Sequence, residues 1–268
     1  MTGNKQHRMV VQQRDIALLQ ELSVMRVVDR EQAMIAGGFG SVTRINTRLL
    51  ALTRAGLLRR FFLGSGGGRK ALYALSAKGA QLAQVPMRGP RRRQDEMLVA
   101  DFSILHQLSI NEVYCALKFK PIPIPQVTFH RWLPFHEPLV AGLSLIPDGY
   151  VEFAIPTGID ASFGIDASFL EVDLGHEALS VWKEKARHYL QFALSRECQR
   201  QFGQEQFRVI VLANSLRRLH SIRACVAGIT QKIFWFSTLE AVREDKFFAS
   251  VWLRPTGDTQ QTFFDQTL

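Results

Sequence analysis

The sequence predicts an α+β / α/β chain in two parts, and two observations support this. Up to residue 79, apolar residues recur at helical spacing and end in two apolar runs around a glycine-rich turn. From residue 94 onward, helical stretches and short apolar runs alternate in the order α-β-β-β-α-β-α-β. A length of 268 residues suits one large domain or two small ones.

Composition excludes several classes of protein. Apolar residues make up 47% of the chain and charged residues 21%, which disfavours global disorder. No segment approaches the roughly 20 apolar residues that a membrane helix needs, and the polar segment Met1–Arg14 does not resemble a secretory signal. The three cysteines are far apart and lack CxxC spacing, so neither a disulfide framework nor a cysteine zinc site is expected. These features together predict a cytoplasmic protein.

Positive charge is concentrated in the first third of the chain. Residues 1–96 hold 17 basic and 6 acidic residues, a net charge of 17 − 6 = +11. Residues 97–268 hold 16 basic and 18 acidic residues, a net charge of 16 − 18 = −2. This asymmetry predicts a polyanion-binding module joined to a second module of different character.

The first module reads as three helices followed by a hairpin. Ile16, Leu19 and Leu22 mark the first helix, and Asp29 is placed to cap the second, with Gln32 three residues on. Ser41 or Thr43 opens the third helix, whose predicted apolar face comprises Val42, Ile45, Leu49 and Leu52. Gly56 ends this helix. Apolar runs at 57–63 and 71–75 then flank the glycine-rich turn Gly64–Gly68, which predicts a hairpin.

This order of elements, with a basic third helix and a basic hairpin, is typical of a winged helix-turn-helix. Thr53–Arg59 resembles the junction between helix and wing in that family. The major groove of DNA admits a helix, and arginine side chains can reach guanine edges or phosphates there. The predicted DNA-binding residues are Arg44, Thr47, Arg48, Arg54, Arg59, Arg60, Arg69 and Lys70. The alternative is a winged helix used only for protein contacts.

Composition also predicts the domain boundaries. Residues 1–80 form the winged helix, and 81–96, with Pro86, Pro90 and Arg91–Arg93, form a basic linker. The three arginines either contact DNA or are simply solvated. Residues 97–255 form the second domain, and 256–268 form a polar tail.

Acidic residues lie on or beside two predicted strands of the second domain. Asp148, in Pro147-Asp148-Gly149, precedes the strand Tyr150–Ile155, and the strand Ser168–Asp173 carries Glu171 and Asp173. Side chains alternate along a strand, so Glu171 and Asp173 are expected on one face. If Asp148 joins them, three carboxylates form an oxygen-rich site suited to Mg²⁺ or Mn²⁺.

The second domain resembles the PD-(D/E)xK nuclease superfamily, and the chain from about residue 14 to 255 resembles the plasmid replication-relaxation family. The residues that carry the resemblance are His106, Asn111–Val113, Trp132, Pro147–Gly149, Phe169–Asp173, Lys185-x-x-x-Tyr189 and Trp252–Pro255. The resemblance implies a DNA endonuclease that uses Mg²⁺ or Mn²⁺, with Asp148, Glu171, Asp173 and Lys185 as catalytic residues and the three acids as metal ligands. The expected partners are duplex DNA and proteins of replication, transfer or recombination, without a membrane, and a homodimer is the assembly to test.

The superfamily pattern places a lysine two residues after the acid of the third strand, where this chain has Asp173. In the superfamily the next helix can supply this lysine instead, and Lys183 and Lys185 both lie there. Lys185 is favoured because it shares its side of the helix with Tyr189, one turn on. The alternative is that both lysines are surface charges and the domain is inactive. The protein would then be a DNA-binding regulator or adaptor that uses a degenerate nuclease fold for dimerisation or partner docking.

Overall fold

The computed structural model describes residues 9–63, 70–88, 97–157, 163–243 and 246–264, with side chains in the third range from Phe102 onward. The chain divides into two compact units, Met1–Cys115 (unit 1) and Ala116–Leu268 (unit 2). Both units combine helices with a sheet, so the predicted α+β class is confirmed. None of the described helices is both long enough and apolar enough to cross a membrane.

Unit 1 contains the three helices and the hairpin that the sequence predicts, together with a short strand and a further helix that it does not. In chain order the elements are α1 (Gln13–Met25), β1 (Val28–Asp29), α2 (Arg30–Ala36), α3 (Val42–Arg54), β2 (Leu58–Leu63), β3 (Lys70–Leu75), α4 (Ala77–Ala83) and α5 (Met97–Phe119). The antiparallel sheet has the order β1-β3-β2. The boundary between the units falls within α5, and 89–96 of the predicted linker lies outside the described residues.

Local chemistry explains where α2 and α3 begin and end. Asp29 accepts a hydrogen bond from the Gln32 amide at 2.8 Å, and Ser41 accepts one from the Arg44 amide at 3.3 Å, so both caps satisfy amides that the helix itself leaves unpaired. Gly56 follows α3 with a φ of +74°, a conformation that glycine adopts without a Cβ clash.

The apolar face of α3 was predicted correctly at three of four positions. Ile45, Leu49 and Leu52 are fully buried, whereas Val42 is 44% exposed. Val42 is the first residue of the helix, one turn before the first buried position, and the buried stripe begins only at Ile45.

Unit 2 is built on a five-stranded mixed sheet. Its elements are β4 (Thr128–Leu133), β5 (Gly149–Pro156), β6 (Phe163–Asp173), α6 (Leu179–Leu194), α7 (Glu197–Phe202), β7 (Arg208–Ala213), α8 (Leu216–Ala227), β8 (Phe234–Thr238) and a 3₁₀ turn, Lys246–Phe248. The strand order is β4-β5-β6-β7-β8, antiparallel through β6 and parallel from β6 to β8. The helices provide the crossovers that parallel strands require.

The sheet is covered on both faces. Trp182 and Phe192 of α6 and Ile222 of α8 belong to one buried cluster with Phe169 and Val211 of the sheet. A second, aromatic cluster forms where Phe153 of β5 contacts Phe263. Phe247 and Trp252 also pack against Phe263 in this cluster. Burial on both faces explains the continuous apolar run of β7.

The predicted order of elements has one helix between the third and fourth strands of the second domain, but the structure has two, α6 and α7. Arg196, between α6 and α7, has a φ of +57° in the left-handed region, which cannot continue a right-handed helix. The predicted polar tail is in part core as well. Gln261 pairs with Trp252 through the backbone, and Phe263 and Phe264 are buried, while 265–268 lie outside the described residues.

Candidate functional site

Asp148 lies immediately before the first residue of β5 and beside β6. Its backbone amide donates to the Leu170 carbonyl at 3.0 Å, and its Oδ2 accepts from the Val172 amide at 2.7 Å. The two partners, Leu170 and Val172, are the chain neighbours of Glu171 on β6. The two hydrogen bonds therefore hold the half-buried Asp148 carboxylate next to Glu171. The two acids are therefore close, although 23 positions separate them in the chain.

Glu171 is a buried carboxylate with two donors from α6. The Tyr189 hydroxyl donates to Oε1 at 2.6 Å, and the Lys185 ammonium donates to Oε2 at 2.8 Å. Lys185 and Tyr189 are four residues apart on a helix, so both side chains lie on one face and meet one acid. Of the two lysines that the sequence left open, Lys185 is the one that reaches Glu171, whereas Lys183 is exposed.

Lys185 is also bound by a carboxylate that the sequence did not single out. Glu177, on the loop between β6 and α6, accepts from the Lys185 ammonium at 3.0 Å. The ammonium also lies 5.0 Å from the centre of the Trp182 ring. Burial by itself would lower the pKa of Lys185, but Glu171, Glu177 and Asp148 outweigh it and raise that pKa, so the lysine remains charged.

The pKa of Glu171 moves towards neutrality. Burial is the main cause, because it disfavours the charged form, and the negative charge of Asp148 acts in the same direction. Lys185 and Tyr189 oppose the shift only in part, so the pKa rises to about 7. At neutral pH this carboxyl can therefore exchange a proton.

Asp173 lies two residues from Glu171 but has a different environment. Its Oδ1 accepts from Arg218 Nε at 2.7 Å and the Gly175 amide at 2.6 Å, and its Oδ2 accepts from Trp182 Nε1 and Arg218 Nη2, both at 2.7 Å. Burial alone would raise the pKa of Asp173, but these donors outweigh it and lower that pKa. Four donors occupy the lone pairs that a metal ligand would use.

Asp148, Glu171 and Lys185 are thus brought together, and Asp173 is directed into a separate ion pair with α8. Across the part of the chain that the structure describes, no group of three or more His, Cys, Asp or Glu side chains is placed to hold a metal ion. Glu177 and Arg218 carried no signal in the sequence, because one lies on a loop and the other is 45 positions from its partner.

Gly149, directly after Asp148, is required by a close approach rather than by its backbone angles. A Cβ at this position would clash with the indole ring of Trp132 on β4. Gly149 therefore begins β5 against the indole ring, and the absence of a side chain at 149 allows β4 and β5 to pair from Tyr150 onward.

In unit 1, the predicted DNA-binding residues of α3 fall into two groups. Arg44, Thr47 and Arg54 are exposed. Arg48 is turned inward, and its Nε donates to Oδ1 of the buried Asp15 at 2.6 Å, while Nη2 bonds both Oδ2 and the Val10 carbonyl. This ion pair gives Arg48 a role in joining α3 to α1.

The structure describes three of the four cations that the sequence predicts on the hairpin. Arg59 and Arg60 are exposed on β2, with Arg59 Nε donating to the Leu75 carbonyl at 3.1 Å. Lys70 forms an ion pair with Asp29 at 2.6 Å. Arg69 and the glycine-rich tip lie outside the described residues.

The fold and these contacts define an α+β protein with a basic, largely helical first unit and a buried carboxylate–lysine cluster in its second. The family model for replication-relaxation matches residues 17–205, which is more than half of the chain, and the protein belongs to that family. Membership indicates a replication-related function of the plasmid or mobile-element type. The comparison with curated proteins and the comparison with solved structures each gave no match.

Proposed function

We propose that the protein binds duplex DNA through unit 1 as a winged helix-turn-helix, and that unit 2 is a PD-(D/E)xK-type endonuclease that nicks or cleaves DNA with Mg²⁺ or Mn²⁺. The observation that carries the second part is the 2.8 Å contact between Lys185 and Glu171, beside Asp148. This trio of two acids and one cation around a common point suits metal-assisted phosphodiester hydrolysis.

The element order and charge of unit 1 support the DNA-binding part. A basic α3 follows α2 after a short turn, and an antiparallel hairpin with exposed arginines comes next. Arg44 and Arg54 are positioned on the exposed side of α3 to contact bases or phosphates, and Arg59 and Arg60 to contact the sugar-phosphate backbone.

The donor set fits a hard divalent cation at Asp148 and Glu171. Mg²⁺ commonly takes one or two protein carboxylates and completes its shell with water and phosphate oxygens. Glu171 oxygens each accept one donor, which leaves each a second lone pair. Asp173 does not fit, because Arg218, Trp182 and Gly175 already bind it. The cation would lower the pKa of a bound water and neutralise phosphate charge.

Lys185 contributes charge in this proposal, not proton transfer. Its pKa is raised, so it stays an ammonium and can stabilise the negative charge that develops on the phosphate. Burial raises the pKa of Glu171 to about 7 in the metal-free protein. A divalent cation bound to this carboxyl would lower its pKa and favour the ionised form that binds the metal.

A second candidate function is a non-catalytic DNA-binding regulator or adaptor. It is favoured by Asp173, which stands where the superfamily pattern has lysine and forms an ion pair with Arg218. Glu177 also neutralises Lys185 in part. In this case unit 2 would serve dimerisation or the docking of a partner.

A plasmid-nicking assay separates the two candidates. Supercoiled plasmid is incubated with Mg²⁺ or Mn²⁺ and with the wild type, Asp148→Ala, Glu171→Ala or Lys185→Met. The control, Lys183→Met, removes an exposed lysine from the same helix. The enzyme proposal expects metal-dependent nicking that falls at least about 100-fold in the first three variants and persists in the control. If the wild type binds DNA tightly and no metal supports nicking, the regulator is the correct function.

A further inference from the structure

Unit 1 contains a concave site that the predicted DNA-binding residues only partly account for. A cavity of about 390 Å³ lies between the start of α1, the turn before α3 and the exposed face of α3. Three arginines line it, Arg14, Arg44 and Arg48, together with Phe39, Thr43 and Thr47. Arg14 lies at the second position of α1, outside the residues that the sequence assigned to DNA.

The three arginines differ in their counter-charges. Arg48 is neutralised by Asp15, so it forms a wall of the cavity and adds little net charge. The Arg14 guanidinium lies over the ring of Phe39, 4.7 Å from its centre. Over the described ranges of the chain, neither Arg14 nor Arg44 has a carboxylate within ion-pair distance. Among the residues that the structure describes, no acid neutralises these two cations of the cavity.

The two threonines differ in a similar way. The Thr47 hydroxyl donates to the Thr43 carbonyl at 2.9 Å, so its proton is used and its oxygen can only accept. The Thr43 hydroxyl makes no hydrogen bond with any described residue, and its side chain is exposed. Thr43 is thus the hydroxyl donor of this cavity.

We propose that this cavity binds one backbone phosphate of duplex DNA, with Arg14, Arg44 and Thr43 as donors. Two guanidinium groups and a hydroxyl suit a phosphate oxyanion, which accepts several charge-assisted hydrogen bonds. Phe39 holds Arg14 in place by a cation–π contact, and the ring in turn packs on Gly37, where a Cβ would clash with it. The site rests on the proposed function, because α3 must approach a duplex for a flanking phosphate to reach this cavity.

Duplex binding measured against salt tests the proposal. Arg14→Gln removes one donor, Thr43→Val removes another without removing charge, and Arg30→Gln is the matched control. Arg30 is an exposed arginine of α2, paired with Glu31 at 3.6 Å, and does not line the cavity. We expect Arg14→Gln to weaken binding about tenfold for every duplex sequence and to reduce the salt slope by about 0.9. Thr43→Val should weaken binding with little change in slope, and Arg30→Gln should change neither.

A second measurement identifies the phosphate. Duplexes are prepared in which a neutral methylphosphonate replaces one phosphate at a time. The wild type should lose affinity at one or two positions, and Arg14→Gln should lose less affinity than the wild type at those same positions, because Arg44 and Thr43 still contact the phosphate. If Arg44→Gln weakens binding while Arg14→Gln and Thr43→Val both match Arg30→Gln, the phosphate site is wrong and the DNA-binding function stands. If the folded wild type binds no duplex at all, both proposals fail.

Discussion

Glu171 and Asp173 lie two residues apart on one face of β6, yet the structure treats them in opposite ways. Asp173 receives four hydrogen bonds, two of them from Arg218, and its pKa is lowered. Glu171 receives one bond from a lysine and one from a tyrosine, and its pKa is raised to about 7. The number and charge of the donors, rather than burial alone, decide whether a carboxylate is a fixed structural anion or a group that can change its protonation state.

The largest effect on stability is expected when Asp173 is removed. Asp173→Ala leaves the half-buried Arg218 and the Trp182 indole N–H without their acceptor, so the free energy of unfolding should fall by about 3–5 kcal/mol. Urea denaturation measures this. Asp258→Ala is the control, since it breaks an Arg–Asp pair whose acid is 95% exposed and should cost at most about 1 kcal/mol. Equal losses in the two variants would contradict a special role for Asp173.

A third acid of β6, Asp166, sharpens the comparison through pH. It points to the face opposite Glu171 and pairs with Arg208 at 2.7 Å, but burial outweighs that pair and raises its pKa from 3.8 to about 6. As the pH rises from about 4, the unfolded chain releases this proton first, so the folded state loses relative stability until the pH passes about 6.

Asp166→Asn lacks this titration and is the variant to compare. The wild type should lose about 1–3 kcal/mol of stability relative to Asp166→Asn between pH 4 and pH 7. Denaturation curves at several pH values give the difference. A difference that grows in favour of the wild type over this range would mean that the Arg208 pair dominates the environment of Asp166.

The smallest expected effect concerns the hydroxyl that binds Glu171. Tyr189→Phe removes one of two donors to a buried carboxylate and should lower the free energy of unfolding by about 1 kcal/mol at pH 8, and less at pH 5, where Glu171 is protonated. Tyr73→Phe is the control, because the buried Tyr73 has no hydroxyl partner among the residues described. If the cost of Tyr189→Phe is the same at both pH values, Glu171 does not titrate near 7.

Much of the fold was accessible from the sequence because it depends on local pattern. Capping residues such as Asp29 and Ser41 indicated where helices begin, and the structure contains these helices within a few residues. The break at Arg196 was not accessible, because no glycine or proline marks it in the sequence. Likewise, Phe263 and Phe264 stand in a polar segment, and only long-range contacts with Phe153 reveal that they are core.

The candidate site was predictable to the extent that strand geometry determines it. Alternation along β6 placed Glu171 and Asp173 on one face, and helical spacing linked Lys185 with Tyr189. The sequence could not show that Arg218 of α8 would bind Asp173, or that Asp15 would bind Arg48. Both pairs join residues more than 30 positions apart, and charge composition does not identify which cation meets which acid.

The contact between Gly149 and Trp132 means that these two positions are not independent. A methyl group at 149 would collide with the indole, so alanine there should push β4 away from β5 and tilt Asp148 with it. A smaller side chain at 132 would free the space. A mutant library that varies only position 149 or only position 132 would therefore miss tolerated sequences. Libraries that vary both positions together would include them.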